Sequence, residues 1–154
     1  MTQFAFVFPG QGSQSRGMMN GYADFVAVRD TFTEASDVLK QDLWQLVTEG
    51  SDADLNSTVN TQPVMLTAGM AVYRAWQSQN GANPAIMAGH SLGEYNALLA
   101  AGAFDLLTGL KLVKRRGELM AQATNGGMAA VLGLEADAVE RVLQNNGMVG
   151  IDVA

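Results

Sequence analysis

An apolar run, Ile86-Met87-Ala88, passes without a spacer into Gly89-His90-Ser91-Leu92-Gly93 and then into Tyr95, Leu98, Leu99 and Gly102, whose spacing is that of a helix. Strand, glycine-bounded serine turn and helix in immediate succession form the pattern of a nucleophile elbow. There a strained turn holds the serine oxygen out of the backbone, and the flanking glycines let neighbouring chain approach closely. Ser91-Leu92-Gly93-Glu94 also satisfies the capping-box pattern, in which serine and glutamate satisfy each other's free amides. A cap alone requires neither the two glycines nor the preceding strand. The two readings are compatible, because a serine at a helix N-terminus also has backbone N–H groups, notably that of Leu92, aimed where an oxyanion forms.

Around this turn the pattern alternates strand and helix. Phe4 to Phe8 is an aromatic and β-branched run stopped by Pro9-Gly10, which predicts a first strand buried on both faces and followed by a tight loop. Phe25, Val28, Phe32, Ala35 and Leu39 recur every three or four residues and predict an amphipathic helix with Asp24 as its N-cap. Thr61-Gln62-Pro63 opens a second helix, with proline in its first turn, which Val64, Thr67, Ala68, Ala71 and Ala75 continue until Asn80-Gly81. A third long helix is expected from about Asp105 to Ala123. Asn125-Gly126-Gly127 breaks the pattern, and a strand (128–132), a helix (136–144) and a strand (148–153) are expected beyond it. Strand, helix and strand alone cannot cover both faces of a sheet, so these last thirty or so residues read as an unfinished unit.

Composition narrows the chemistry. The chain has 154 residues, no cysteine and one histidine, which removes disulfides, thiolate nucleophiles and sulfur-ligated zinc and leaves little for any other metal; no metal site is expected. A formal charge of −6 provides no field for nucleic acid. The opening residues lack the positive charge and the long apolar core of a secretion signal, and no run approaches a membrane span. The expected location is therefore cytoplasmic, with neither nucleic acid nor membrane as partner.

Three further groups are candidates for chemistry. Gly10-Gln11-Gly12-Ser13-Gln14 follows the first strand, where a glycine-rich loop can bring a second backbone N–H towards Ser91. A dinucleotide fingerprint fits the same loop poorly, since its third glycine is Ser15 and the required acid, Asp30, lies within a helical pattern. Lys111, Lys114, Arg115 and Arg116 form the one basic cluster. Of these, Arg116 alone is followed by a glycine, Gly117, and shares a face with Leu112 and Met120, as a carboxylate clamp requires. His90 adjoins the serine, but the side chain preceding an elbow nucleophile projects away from it, so it is a poor general base.

Taken together, Phe8-Pro9-Gly10-Gln11-Gly12-Ser13-Gln14, Thr61-Gln62-Pro63, Gly89-His90-Ser91-Leu92-Gly93-Glu94-Tyr95 and Arg116-Gly117 resemble the malonyl-CoA:acyl carrier protein transacylases of bacterial fatty acid synthesis, most closely the stand-alone enzyme. The resemblance runs the length of the chain and covers the N-terminal half of that family's pattern. It implies an α/β fold, with an α/β-hydrolase-like large subdomain over residues 1–124 and the incomplete start of an inserted ferredoxin-like small subdomain over residues 125–154. It implies an acyltransferase in which Ser91 takes the malonyl group from malonyl-CoA and passes it to the phosphopantetheine thiol of acyl carrier protein. The amides of Gln11 and Leu92 would hold the oxyanion, Arg116 would pair with the malonate carboxylate, and Gln62 and His90 would bind substrate. No cofactor is implied.

The family's catalytic histidine comes from its second half. The 154 residues therefore read as half of an enzyme about twice as long, with the remaining half as partner and with apolar sheet surface exposed without it. Two alternatives use the same residues: a serine hydrolase of the α/β-hydrolase class that delivers the acyl group to water, and an inactive fragment that lacks the base and only binds acyl carrier protein.

Overall fold

A computed structural model describes residues 3–123 and 126–153, and the chain divides into two compact units, Met1–Ala123 and Thr124–Ala154. Asn125, and with it the start of the expected break and subdomain boundary, lies outside the described residues.

The first unit runs in the order β1 (Ala5–Phe8), a 3-10 turn (Asn20–Tyr22), α1 (Val26–Leu39), α2 (Leu43–Glu49), α3 (Asp52–Asn56), α4 (Thr58–Ser78), β2 (Ile86–Gly89), α5 (Leu92–Ala100) and α6 (Leu106–Gln122). The two strands pair in parallel, with Ala5 opposite Ile86 and Phe8 opposite Gly89. Parallel neighbours require a crossover, and α1 to α4 supply it. Because the strands end in register, the loop after β1 and the serine turn after β2 leave the sheet side by side, at the carboxyl edge where open α/β sheets bind ligands.

Helix α4 is the axis of the core. Every residue from Thr61 to Ala68 is buried, so it is packed on all sides and not along one stripe. Val28, Phe32 and Ala35 of α1 and Leu110 and Val113 of α6 are likewise buried, as the helical periodicities require. At β1, Phe6 meets Tyr73 and Trp76 of α4 at ring-centroid distances of 5.4 and 5.8 Å. Asn96 of α5, also buried, donates from Nδ2 to the carbonyl of Leu66 at 2.8 Å and so ties α5 to α4.

Several expectations fail for identifiable reasons. β1 is covered on one face only: Val7 is 72% exposed and Ile86 of β2 65%, because the sheet has two strands among the described residues and the helices cover one side. Phe25, not Asp24, occupies the N-cap of α1, since the preceding turn still binds the Phe25 amide to the Tyr22 carbonyl at 3.1 Å. Helix α4 begins at Thr58, a turn before Pro63, because the Ser57 carbonyl accepts from both Asn60 and Thr61 at 2.8 Å. Pro63 is thus an interior proline, and the cost of its missing N–H is borne by a helix that the core holds from every side.

At the start of α6, Asp105 accepts from the Thr108 amide at 2.8 Å. Hydrogen bonds from Thr108, side chain and backbone, hold its carboxyl below the usual value, against the small opposing effect of burial. A carboxyl with a lowered folded pKa adds stability above its unfolded value of 3.8, and that contribution disappears as the pH falls through the folded value. Asp105→Asn should therefore lower the thermal midpoint at pH 7, and the difference from the unmodified protein should close as melts are repeated towards pH 3.

In the second unit, α7 (Ala136–Asn145) forms as the periodicity predicts. The strands expected at 128–132 and 148–153 are absent: both stretches are irregular. A strand exists only through a partner, and neither segment finds one among the described residues; Gly150, at φ 75°, also interrupts extended backbone within the second. Their apolar side chains are left open, with Leu132 and Val149 each 90% exposed.

Candidate active site

The serine turn is strained in the way its sequence implies. Ser91 has φ 53° and ψ −110°, a backbone state that costs a non-glycine residue on the order of 1–3 kcal/mol and persists only where the surroundings impose it. The surroundings are the two glycines. A Cβ on Gly89 would collide with the Gly93 carbonyl oxygen, and one on Gly93 with that of Phe8. Both contacts are with backbone, which cannot swing aside. Gly93→Ala should cost about 2 kcal/mol or more in urea unfolding and open the turn, with loss of Ser91 reactivity out of proportion to the stability change.

Ser91 makes no side-chain cap, so its hydroxyl is not spent on the helix in the capping-box manner. It is exposed and accepts a hydrogen bond of 2.8 Å from Nη2 of Arg116. The guanidinium arrives from α6, held by close helix packing: a Cβ on Gly117 would lie 2.8 Å from the Thr58 carbonyl oxygen of α4. Tyr95, one turn beyond Ser91, lies beneath it with its ring centroid 5.9 Å from Cζ.

The glycine loop meets the turn from the other strand. A Cβ on Gly10 would be 2.9 Å from the His90 carbonyl oxygen, so glycine is required for the loop to lie against the elbow. Gly12 has φ 102°, and its amide donates to Oε1 of Gln14 at 2.8 Å. The amides of Gln11 and Leu92 donate to no backbone carbonyl in the loop and turn hydrogen bonds of the described residues. Leu92 buries its side chain completely while its amide stands at the N-terminus of α5, where no intrahelical acceptor exists.

The remaining candidates are placed differently. Gln62 is fully buried; its Nε2 donates to Met120 Sδ at 3.0 Å and to Thr58 Oγ1 at 3.4 Å, and its Oε1 has no partner among the described residues. His90 is exposed beside Gly10 and shares no hydrogen bond with Ser91 among the described residues. Sequence reasoning missed Thr58, which lies one helical turn before Gln62 and donates from Oγ1 to the side-chain oxygen of Gln11 at 3.0 Å. The i, i+4 spacing of Thr58 and Gln62 was the only available signal. Two surface hollows, one bordered by Asp24 and Gln79 and one by Arg29 and Trp44, are lined by neither Ser91 nor Arg116.

A serine held exposed in a strained turn, one guanidinium on its oxygen and two amides at the carboxyl edge of a sheet suit covalent transfer of an acyl group that carries its own negative charge. Comparison with known proteins accords with that chemistry. Residues 5–153 match the family model described as acyl transferase domain. The chain is 49% identical over 148 residues to the malonyl CoA-acyl carrier protein transacylase of Escherichia coli strain K12, covering 94% of this chain and 48% of that protein. Among solved structures, an acyl-carrier-protein S-malonyltransferase from Burkholderia pseudomallei 1710b superposes with TM-score 0.91 and 54% identity over 97% of this chain and 50% of that one. A malonyl-transacylase in complex with a type II polyketide acyl-carrier protein superposes with TM-score 0.87 and 47% identity over 94% of this chain and 48% of that one. The chain spans about half the length of the curated relatives it matches in this way.

Proposed function

Since the chain belongs to the acyl transferase domain family, we propose that it contributes the nucleophile half of an enzyme that moves a malonyl group from malonyl-CoA to the phosphopantetheine thiol of acyl carrier protein. Ser91 Oγ attacks the thioester carbonyl, the C–S bond breaks, coenzyme A leaves as the thiol and a malonyl-serine ester remains. The carrier's thiol then attacks that ester, and the serine oxygen recovers its proton. In both halves the amides of Gln11 and Leu92 hold the developing oxyanion. The thioester arrives already activated, so the transfer calls for no cofactor.

The observation that carries this reading is the 2.8 Å contact of Arg116 with Ser91 Oγ. In a malonyl ester the free carboxylate lies only two carbons from the linkage, within reach of the same guanidinium, which can bind it through two parallel hydrogen bonds. An acetyl group would leave that charge without its partner. Gln62 supports the acyl pocket from below through Met120, and His90 borders the substrate entrance.

The general base lies outside these 154 residues. Two features support this: His90 is the sole histidine and shares no hydrogen bond with Ser91 among the described residues, and the relatives are about twice as long. By the same likeness the first unit is part of an α/β-hydrolase-like subdomain and the second the beginning of an inserted ferredoxin-like one, completed by the other half of the protein. The exposed basic residues Lys111 and Arg115 suit an acidic carrier. The described residues contain no helix long and apolar enough to cross a membrane, and a cytoplasmic location fits the substrates.

Intact mass spectrometry after brief exposure to malonyl-CoA tests the assignment. The expected result is one malonyl group on Ser91, discharged on addition of carrier bearing its thiol. Release of free malonate at the same rate with and without carrier would instead identify a hydrolase.

A further inference from the structure

The loop that presents the Gln11 amide closes one backbone hydrogen bond of its own, from the Ser13 amide to the Gly10 carbonyl at 3.3 Å, and is held to the rest of the unit by side chains. Two side-chain ties bind it to the junction of α3 and α4. Oγ1 of Thr58, the first residue of α4, donates to Oε1 of Gln11 at 3.0 Å, and Nε2 of Gln14 donates to Oδ1 of Asn56 at 2.7 Å. A hydroxyl has one proton to give, and Thr58 gives it to Gln11. Its lone pair faces Nε2 of Gln62, an amide buried completely in the core. The chain of donors therefore runs in one direction, from the core through Thr58 to the loop, and adjacent hydrogen bonds in such a chain strengthen one another.

The same few atoms also locate the guanidinium. The Thr58 carbonyl oxygen is the backbone atom against which Gly117 packs, next to Arg116. One residue thus touches the loop that carries an oxyanion donor through its side chain and the helix that carries the carboxylate clamp through its backbone.

We propose that Thr58 is a positioning residue, which fixes the Gln11 amide at the distance from Ser91 that oxyanion binding requires. The proposal rests on the assignment of Ser91 as nucleophile and of the Gln11 amide as oxyanion donor. Thr58→Val keeps the shape of the side chain and removes the tie. Complete loss of an oxyanion donor costs about 10²–10³ in rate, and a donor merely displaced should cost roughly tenfold.

The test measures phosphonylation of Ser91 by a fluorophosphonate, which requires nucleophile and oxyanion donors whatever the natural acyl group, alongside malonyl adduct formation in the full-length protein. Thr58→Val should slow both roughly tenfold with the thermal midpoint unchanged, and Thr58→Ser should restore both. Gln11→Ala severs the same tie from the other end without touching α4. It should slow labelling by a similar factor, and the double variant should be no slower than either single one. Additive effects, an unchanged rate in Thr58→Val, or a loss that Thr58→Ser does not recover would overturn the proposal. Slowed phosphonylation in a protein that malonyl-CoA never labels would uphold Thr58 and overturn the malonyl reading alone. Absence of any label on Ser91 in the unmodified protein would overturn both.

Discussion

Ser91→Ala should abolish the malonyl adduct and lower acyl transfer by four or more powers of ten, with the stability of the fold retained. The magnitude follows from the division of labour at the site. With no nucleophile there is no covalent intermediate, and only binding and the oxyanion amides remain, which in serine enzymes leave a residue of catalysis several powers of ten below normal. Stability should change little, because alanine keeps the Cβ and with it the cost of φ 53°, and no side-chain cap is lost with the hydroxyl. Ser91→Gly, which relieves that backbone state, should melt higher while remaining inactive. A variant that kept measurable adduct formation would require another nucleophile.

Arg116→Ala should change the choice of acyl group more than the capacity to react. A half-buried guanidinium making two charge-assisted bonds to a carboxylate is worth about 3 kcal/mol, so kcat/KM for malonyl-CoA should fall roughly a hundredfold. Acetyl-CoA has no carboxylate to lose, so the malonyl-to-acetyl ratio should fall by nearly the same factor. Arg116→Lys should recover little, because an ammonium cannot reproduce the planar fork. Competition between the two thioesters, read as the ratio of the two serine adducts, measures this directly. An unchanged ratio would remove Arg116 from the acyl site and favour the hydrolase reading.

The elements at the site were legible in the sequence because each is short-range. A strand, two glycines and a helical pattern, all between Ile86 and Gly102, encode the elbow, although the contact that requires Gly93 comes from Phe8 of β1. Helix α1 was likewise marked by its apolar period, and α6 lies within the stretch expected from Asp105 to Ala123. What failed depends on distant chain. The exposure of Val7 reflects how many elements cover the sheet, which no local pattern records. The missing strands of the second unit are sequences of suitable composition that find no partner among the described residues. Helices α2 and α3, of seven and five residues, are too short to carry a period, although Ser51 followed by Asp54 was a readable start: the Asp54 amide donates to Ser51 Oγ at 3.0 Å. Thr58 escaped notice because its importance lies in a hydrogen bond to a residue forty-seven positions earlier.

The in-register pairing of Phe8 with Gly89 means that the reactive centre has no local precursor. Ser91 and the glycine loop lie about eighty residues apart along the chain. They become neighbours only when a long crossover has closed and the helices within it have packed. On the function proposed above, labelling of Ser91 by an acyl donor would therefore require this long-range pairing and not the helices alone, whose formation far-ultraviolet dichroism registers separately. On the same reading, a chain in which the crossover has not closed holds the serine without the glycine loop beside it.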